Sequence, residues 1–259
     1  MKQGQPDRKQ QLQEDEYDFP YHYVPTWEDG AFSQVQYWSW GFRYLGGMQV
    51  VLDQLESSTF ESLIDIGCGD GRFLREMWHR HPDTELMGVD YSQRAIRMAS
   101  AMNPHLKYEA INIIKERPPS RFDVATLIEV LEHIPPDQVA DFCGGVADTL
   151  NEGGRLILTV PHSNKPVSQK HYQHFTSESL RSVLSPRFSD IRFIPFDVRS
   201  RFVMPLLSRL MGGSGRYFLL THKRLNTSLY RLYEKRFLYA ASERDCGRLA
   251  AVCVKRSVG

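Results

Sequence analysis

The chain has 259 residues, and its 32 lysines and arginines nearly balance its 31 acids, for a net charge of +1. That balance excludes a whole-chain electrostatic grip on nucleic acid. A mean hydropathy of −0.42, with no apolar run near the ~20 residues that cross a bilayer, excludes a helical membrane span. Four scattered cysteines (Cys68, Cys143, Cys246 and Cys253) form no CxxC pair, which argues against a zinc module or disulfide framework and fits a reducing, cytoplasmic setting.

In chain order, residues 1–16 are polar, carry no apolar secretory core, and read as a disordered tail. Residues 17–58 are expected to form an N-terminal aromatic cap and helix. They open with YDFPYHYVPTW, including Tyr21, His22, Tyr23 and Trp27, and then carry Tyr37, Trp40, Tyr44, Met48 and Leu52 at spacings of three and four. From 59 to 198, apolar runs rich in branched residues alternate with helical patterns. SLIDI, ELMGV, HLKYEAI, FDVATLI, RLILTV and DIRFIPF read as strands, and RFLREMWHR, SQRAIRMASAM, PDQVADFCGGVADTL and SESLRSVL as helices. Residues 199–244 interrupt this pattern with a basic amphipathic insert. Its Leu225, Leu229, Leu232, Tyr233 and Phe237 would share one helix face, and over residues 199–240 its Arg201, Arg209, Arg216, Lys223, Arg224, Arg231, Lys235 and Arg236 outweigh the one acid, Glu234. RLAAVCVKR, within 245–259, closes the core as a last strand. The alternation predicts an α/β fold, a doubly wound, Rossmann-like, mostly parallel seven-stranded sheet.

The most specific motif is Asp65-Ile-Gly67-Cys68-Gly69-Asp-Gly71, directly between a strand and a helix. Glycines there permit positive φ and leave the backbone open to a ligand. The dinucleotide fingerprint needs its third glycine one place later, where Arg72 stands. A GxGxG after an acid suits instead a ligand with an amino-acid tail, whose ammonium Asp65 could accept. Asp90 ends the next strand, where a carboxylate can take both ribose hydroxyls of a nucleoside. Tyr91 could pack on the sugar or base, and Asn112 could read an adenine amino group.

In its order of motifs (glycine loop, Asp90, FDVATLIEVLEHI, LNEGGRLILTVP), the chain resembles the class I S-adenosylmethionine-dependent methyltransferases over roughly residues 60–195 and the final strand. The resemblance implies S-adenosyl-L-methionine as cofactor, bound by Asp65, Gly67, Cys68, Gly69, Asp90, Tyr91 and Asn112. The string EVLEH also occurs in ubiquinone-biosynthesis O-methyltransferases and in small-RNA 3′-terminal ribose methyltransferases. In the latter, two glutamates and a histidine bind a divalent metal with a further histidine, a place that His171 of KHYQHFTSESL would take here, with His174 nearby.

Residues beyond the carboxyl ends of such strands face the ligand crevice. Three roles for Glu129, Glu132, His133 and His171 stay open. They could hold Mg²⁺ or a similar ion that acidifies a substrate hydroxyl, His133 or His171 could be a general base, or Glu132 and His133 could merely open the following helix. The expected activity is methyl transfer to a hydroxyl of a small or medium acceptor, such as a glycan, a polyketide-like metabolite or a quinone precursor. The alternatives are RNA ribose 2′-O-methylation and a catalytically inactive fold that serves binding or assembly. The basic residues of 199–240 could meet an acidic substrate, RNA phosphates or an anionic membrane surface.

Overall fold

The computed structural model describes residues 26–28, 31–33, 38–56, 59–199, 223–240 and 242–257. The tail, the aromatics Tyr21, His22 and Tyr23, and Arg201, Arg209 and Arg216 of the insert lie outside the described residues. Two short strands, β1 (Thr26–Glu28) and β2 (Ala31–Ser33), pair antiparallel. Helix α1 (Trp38–Leu55) follows them.

The apolar runs become the seven strands expected: β3 (Ser62–Ile66), β4 (Glu85–Asp90), β5 (Lys107–Ala110), β6 (Phe122–Ile128), β7 (Leu150–Pro161), β8 (Phe188–Val198) and β9 (Cys246–Lys255). Their order across the sheet is β5-β4-β3-β6-β7-β9-β8. Strands β5 to β7 run parallel, and β9 lies antiparallel between β7 and β8. Helices α2 (Arg72–Arg80), α3 (Gln93–Met102), α4 (Val139–Asp148) and α5 (Ser177–Leu184) connect them. Side chains alternate across a strand, so one sequence supplies two cores. Leu156 and Leu158 pack towards Phe142, Val146 and Leu180 of α4 and α5, while Ile157 between them packs towards Met48, Leu52, Leu74 and Met77 of α1 and α2.

The chain divides into two compact units, one of residues 43–200 with 228–259 and one of residues 1–42 with 201–227. Most of α1 and the end of the insert therefore belong to the unit that holds the sheet. Helix α6 (Lys223–Tyr233) carries Leu225, Leu229, Leu232 and Tyr233 along one side, as expected for the insert, and then widens into a π turn over Glu234–Leu238, which takes Phe237 off that α-helical register. Tyr233 and Leu238 are buried, and Leu225 and Leu232 are exposed. No described helix is long and apolar enough to cross a membrane.

Asp123 fastens the amino ends of three strands. Its carboxylate accepts from the amides of Glu61 and Ser62 (3.0 and 3.1 Å), from the Ser62 hydroxyl and from the Asn151 side chain (2.9 Å). Burial pushes this carboxyl up, but these donors outweigh it and hold the group below its ordinary value. A depressed folded pKa stabilises the fold above the unfolded pKa, and that contribution is lost as pH falls through the folded value. Asp123→Ala should therefore cost about 1–3 kcal/mol at pH 7 and progressively less below pH 4, read from urea midpoints at several pH values. An equal loss at pH 3 and pH 7 would remove the carboxylate from this role.

Candidate active site

The parallel strands present their carboxyl ends to one rim, and there the chain turns from β3 to β4 on one side and to β6 on the other. Such a reversal leaves a crevice. A cavity of about 550 Å³ occupies it, lined among others by Gly67, Asp90, Tyr91, Asn112, Glu129 and His133. Its apolar wall comes from Ile111, Ile113, Ile134 and Phe142, residues that look like ordinary core in the sequence and carry no motif that would have flagged them.

The glycine loop is shaped by its own packing as much as by a ligand. Gly67, Gly69 and Gly71 all have positive φ (77°, 55° and 77°). A Cβ on Gly67 would lie 2.5 Å from the Val130 side chain, and one on Gly71 would collide with the Tyr108 hydroxyl. Only at Gly69 does a Cβ meet nothing within 4 Å, so that glycine faces open space. Asp90 binds the loop to the next turn. Its Oδ2 accepts from the Gly69 amide at 3.2 Å and its Oδ1 from the Ser92 amide at 2.9 Å. Each oxygen keeps a lone pair for ribose hydroxyls, and Tyr91, 82% exposed, stands beside it on the cavity wall.

Three of the expected cofactor contacts also have partners within the protein. Asp65 is 3% exposed and is not on the cavity wall; its carboxylate accepts from the Thr126 hydroxyl at 2.7 Å. Burial, with the Asp90 charge adding to it against the Thr126 hydrogen bond, pushes this carboxyl up to about 7. Asp65 thus supports the loop from below. Cys68 is buried too, its amide donating to the Val89 carbonyl. At Asn112, Oδ1 accepts from the Ile114 amide at 3.1 Å. The second lone pair of Oδ1 can still accept from an adenine amino group, and the Nδ2 amide can donate to a ring nitrogen.

At the other end of the cavity, Glu129 and His133 follow β6. Glu129 has φ 56°, a left-handed conformation that a glutamate adopts only under constraint. Its amide donates to Thr159 of β7, and its Oε2 lies 3.8 Å from Nε of Arg248 on β9. Arg248 also lies 3.7 Å from Asp197, itself at φ 59° and held by Lys165 Nζ at 2.7 Å. This charged network went unseen in the sequence, where isolated cations and acids look solvated.

Glu132 lies in a 3₁₀ turn, Leu131–His133, six residues before α4 begins at Val139, so it does not open that helix. It is 0% exposed, and neither carboxylate oxygen has a hydrogen-bond partner among the described residues. Burial and the neighbouring Glu129 push its carboxyl up to about 9. His133 Nδ1 lies 3.0 Å from the Lys170 carbonyl, which only accepts, so Nδ1 carries the proton and Nε2 the lone pair. The loop between β7 and α5 brings His171 to the same place, its ring 4.8 Å from that of His133 and at right angles to it. Burial and then the neighbouring His133 and His174 lower the pKa of His171, keeping it neutral. Ligand atoms of Glu132, His133 and His171 lie within 4.8 Å of one another. Glu129, turned towards Arg248, is not in this group, so the four-residue metal set expected from the sequence contracts to three.

The loop glycine that faces open space, the acid at the end of β4 and the apolar wall fit a nucleoside with an amino-acid tail. Asp90→Ala should weaken S-adenosylhomocysteine binding by about 2–3 kcal/mol, the worth of hydrogen bonds to a charged acceptor. Calorimetry on the folded variant reads this directly, and unchanged affinity would refute the placement.

Comparison with known proteins agrees with this geometry. Residues 37–189, more than half of the chain, match the family model of the methyltransferase domain. A ubiquinone biosynthesis O-methyltransferase of Idiomarina loihiensis is 28% identical over 111 residues, covering 40% of this chain and 44% of that protein. One from Albidiferax ferrireducens is 32% identical over 107 residues, covering 38% and 40%. The chain thus spans less than half the length of these relatives. The N-methyltransferase NodS of Bradyrhizobium japonicum, solved with S-adenosylhomocysteine, superposes with a TM-score of 0.54 at 16% identity, over 83% of this chain and 88% of that one. With the family model matched across the glycine loop, Asp90 and the β6 rim, the chain belongs to the methyltransferase-domain family, and its fold is that of the class I S-adenosylmethionine-dependent methyltransferases.

Proposed function

We propose that the enzyme transfers the methyl group to a hydroxyl oxygen of a small or medium acceptor, such as a glycan, a polyketide-like metabolite or a quinone precursor, with His133 or His171 taking the hydroxyl proton. The observation that carries this reading is the pair of imidazoles beside the β6 end of the cavity. Each has Nδ1 committed to a neighbour and Nε2 left as an acceptor. Asp90, Tyr91 and Asn112 would hold the nucleoside at one end, which puts the sulfonium methyl towards Glu129 and His133. A neutral hydroxyl is a poor nucleophile, and a base within hydrogen-bond reach contributes ~10²–10⁴-fold. The O-methyltransferase relatives support an oxygen acceptor over the part of the chain they match.

A second reading has its own observation. A fully buried carboxylate without a hydrogen-bond partner, such as Glu132, costs several kcal/mol unless it is protonated or faces a cation. Glu132, His133 and His171 would hold a divalent cation, and such an ion lowers the pKa of a hydroxyl that it binds. One carboxylate and two imidazoles suit a manganese- or zinc-like ion better than Mg²⁺, which favours oxygen ligands. The same hydroxyl chemistry extends to an RNA ribose, with the exposed Arg231, Lys235 and Arg236 as phosphate contacts.

Release of S-adenosylhomocysteine across a panel of hydroxylated acceptors, with mass spectrometry of the product, separates these readings. With a base, EDTA leaves turnover intact, and one of His133→Ala or His171→Ala lowers it ~10²–10⁴-fold. With a cation, EDTA abolishes turnover, Mn²⁺ restores it, and Glu132→Gln is as damaging as the histidine variants. Turnover within a few-fold of the parent in all three variants would overturn both, and a methylated nitrogen or carbon would overturn the acceptor class.

A further inference from the structure

Histidine is symmetric enough to present either ring nitrogen to a site, and what decides between them is the partner of the other nitrogen. For His133 that partner is the Lys170 carbonyl. His171 has no carbonyl partner. Its Nδ1 lies 2.8 Å from Nε2 of His174, and Nδ1 of His174 lies 3.0 Å from the carbonyl oxygen of Lys165.

The carbonyl sets the direction of this chain. It can only accept, so His174 carries its proton on Nδ1. In its neutral form His174 then offers Nε2 as an acceptor, so His171 must donate from Nδ1. The nitrogen His171 has left is Nε2.

The anchor of this chain is rigid at each step. Lys165 is held by its amide to the His162 carbonyl at 2.9 Å and by its ammonium to Asp197 at 2.7 Å. Phe175, next to His174, is 2% exposed, and its amide and carbonyl bond Pro161 and Ser163 at 3.1 and 3.0 Å. The loop end is fixed again by Glu243, which accepts from His162 Nε2 and from the Ser177 amide and hydroxyl.

We propose that His174 is a positioning residue: through the chain Lys165 carbonyl–His174–His171 it fixes the tautomer of His171, so that the Nε2 lone pair joins Glu132 and His133. The inference builds on the proposed use of that cluster, and it serves a base and a cation ligand alike, since either needs an unprotonated Nε2. The side chain does this without touching the substrate.

Long-range ¹H–¹⁵N correlation spectra of the histidine rings in the ¹⁵N-labelled full chain test it without any acceptor. In the parent, His171 and His174 should both show protonated Nδ1. In His174→Phe, His171 should turn to the Nε2–H form. In His174→Gln, whose side-chain carbonyl can accept, it should return to Nδ1–H. A merely structural role for His174 would not distinguish the two variants. Co²⁺ titration by calorimetry adds a second readout: if the cluster takes a metal, His174→Phe should weaken it about 10–100-fold and His174→Gln far less. Absence of Co²⁺ binding by the parent would count against the cation reading alone, with the tautomers still deciding this proposal. An Nε2–H tautomer of His171 in the parent, or the same tautomer in all three proteins, would overturn it.

Discussion

A parallel sheet cannot finish its hydrogen bonding at its carboxyl ends, and everything functional in this protein follows from what is placed there. The order β5-β4-β3-β6-β7-β9-β8 reverses direction after β3, so the connections after β3 and β4 depart from those after β6 and leave a crevice between them. Each strand contributes one kind of group to that rim. The end of β3 brings backbone amides, the end of β4 a carboxylate, and the end of β6 a carboxylate and imidazole pair; the loop after β7 brings two further imidazoles. The cavity is therefore polar at each end and apolar in the middle, the arrangement a nucleoside with a charged tail requires.

How much of this was readable in the sequence depended on how local each cause is. Strand identity is local: SLIDI or RLILTV is a buried strand whatever surrounds it, because branched apolar runs have few other places to go. The glycine loop and Asp90 are local too, and the structure puts Asp90 on the cavity wall. Reasons that depend on distant neighbours were hidden. Gly67 accommodates Val130, sixty-three positions away, and Gly71 accommodates Tyr108. Asp65 reads as a ligand contact in the sequence, where the hydrogen bond that Thr126 of the neighbouring strand gives to one of its oxygens is not visible. Nothing in the pair Glu129 and Asp197 announces that both sit at positive φ around one enclosed guanidinium. The π turn at Glu234–Leu238 was hidden as well, and it shifts the register of Phe237 after the α-helical pattern of Leu225–Tyr233 has been set.

The electrostatics of the rim divide into two neighbouring regions of opposite design. Around Asp197, three cations (Arg43, Lys165 and Arg248) converge on one carboxylate, so the carboxyl group stays ionised despite burial. Around Glu132, burial and Glu129 act together and outweigh the backbone amide of Glu132 and the Arg248 charge, so the proton is favoured. Glu129 stands between the two regions and belongs to both. Such a gradient, from an ionised acid to a protonated one a few residues apart in the fold, is a common way to give similar side chains different tasks.

The position of β9 has a consequence for the order in which the enzyme comes into being. Of the described strands it is the last to be synthesised, yet it lies inside the sheet and pairs with both β7 and β8. Until residues 246–255 leave the ribosome, β7 has an open edge and β8 lacks the one described strand it pairs with along its length. Arg248, which steadies Glu129, and Glu243, which fixes the histidine loop, arrive in the same final stretch. A nascent chain can therefore form the nucleoside end of its cavity early, from β3 and β4, while the catalytic end waits for the last strand. The two ends of the cavity are thus completed by segments made at different moments of synthesis, and the exposed edge of β7 in the interval is where a chaperone has something to protect.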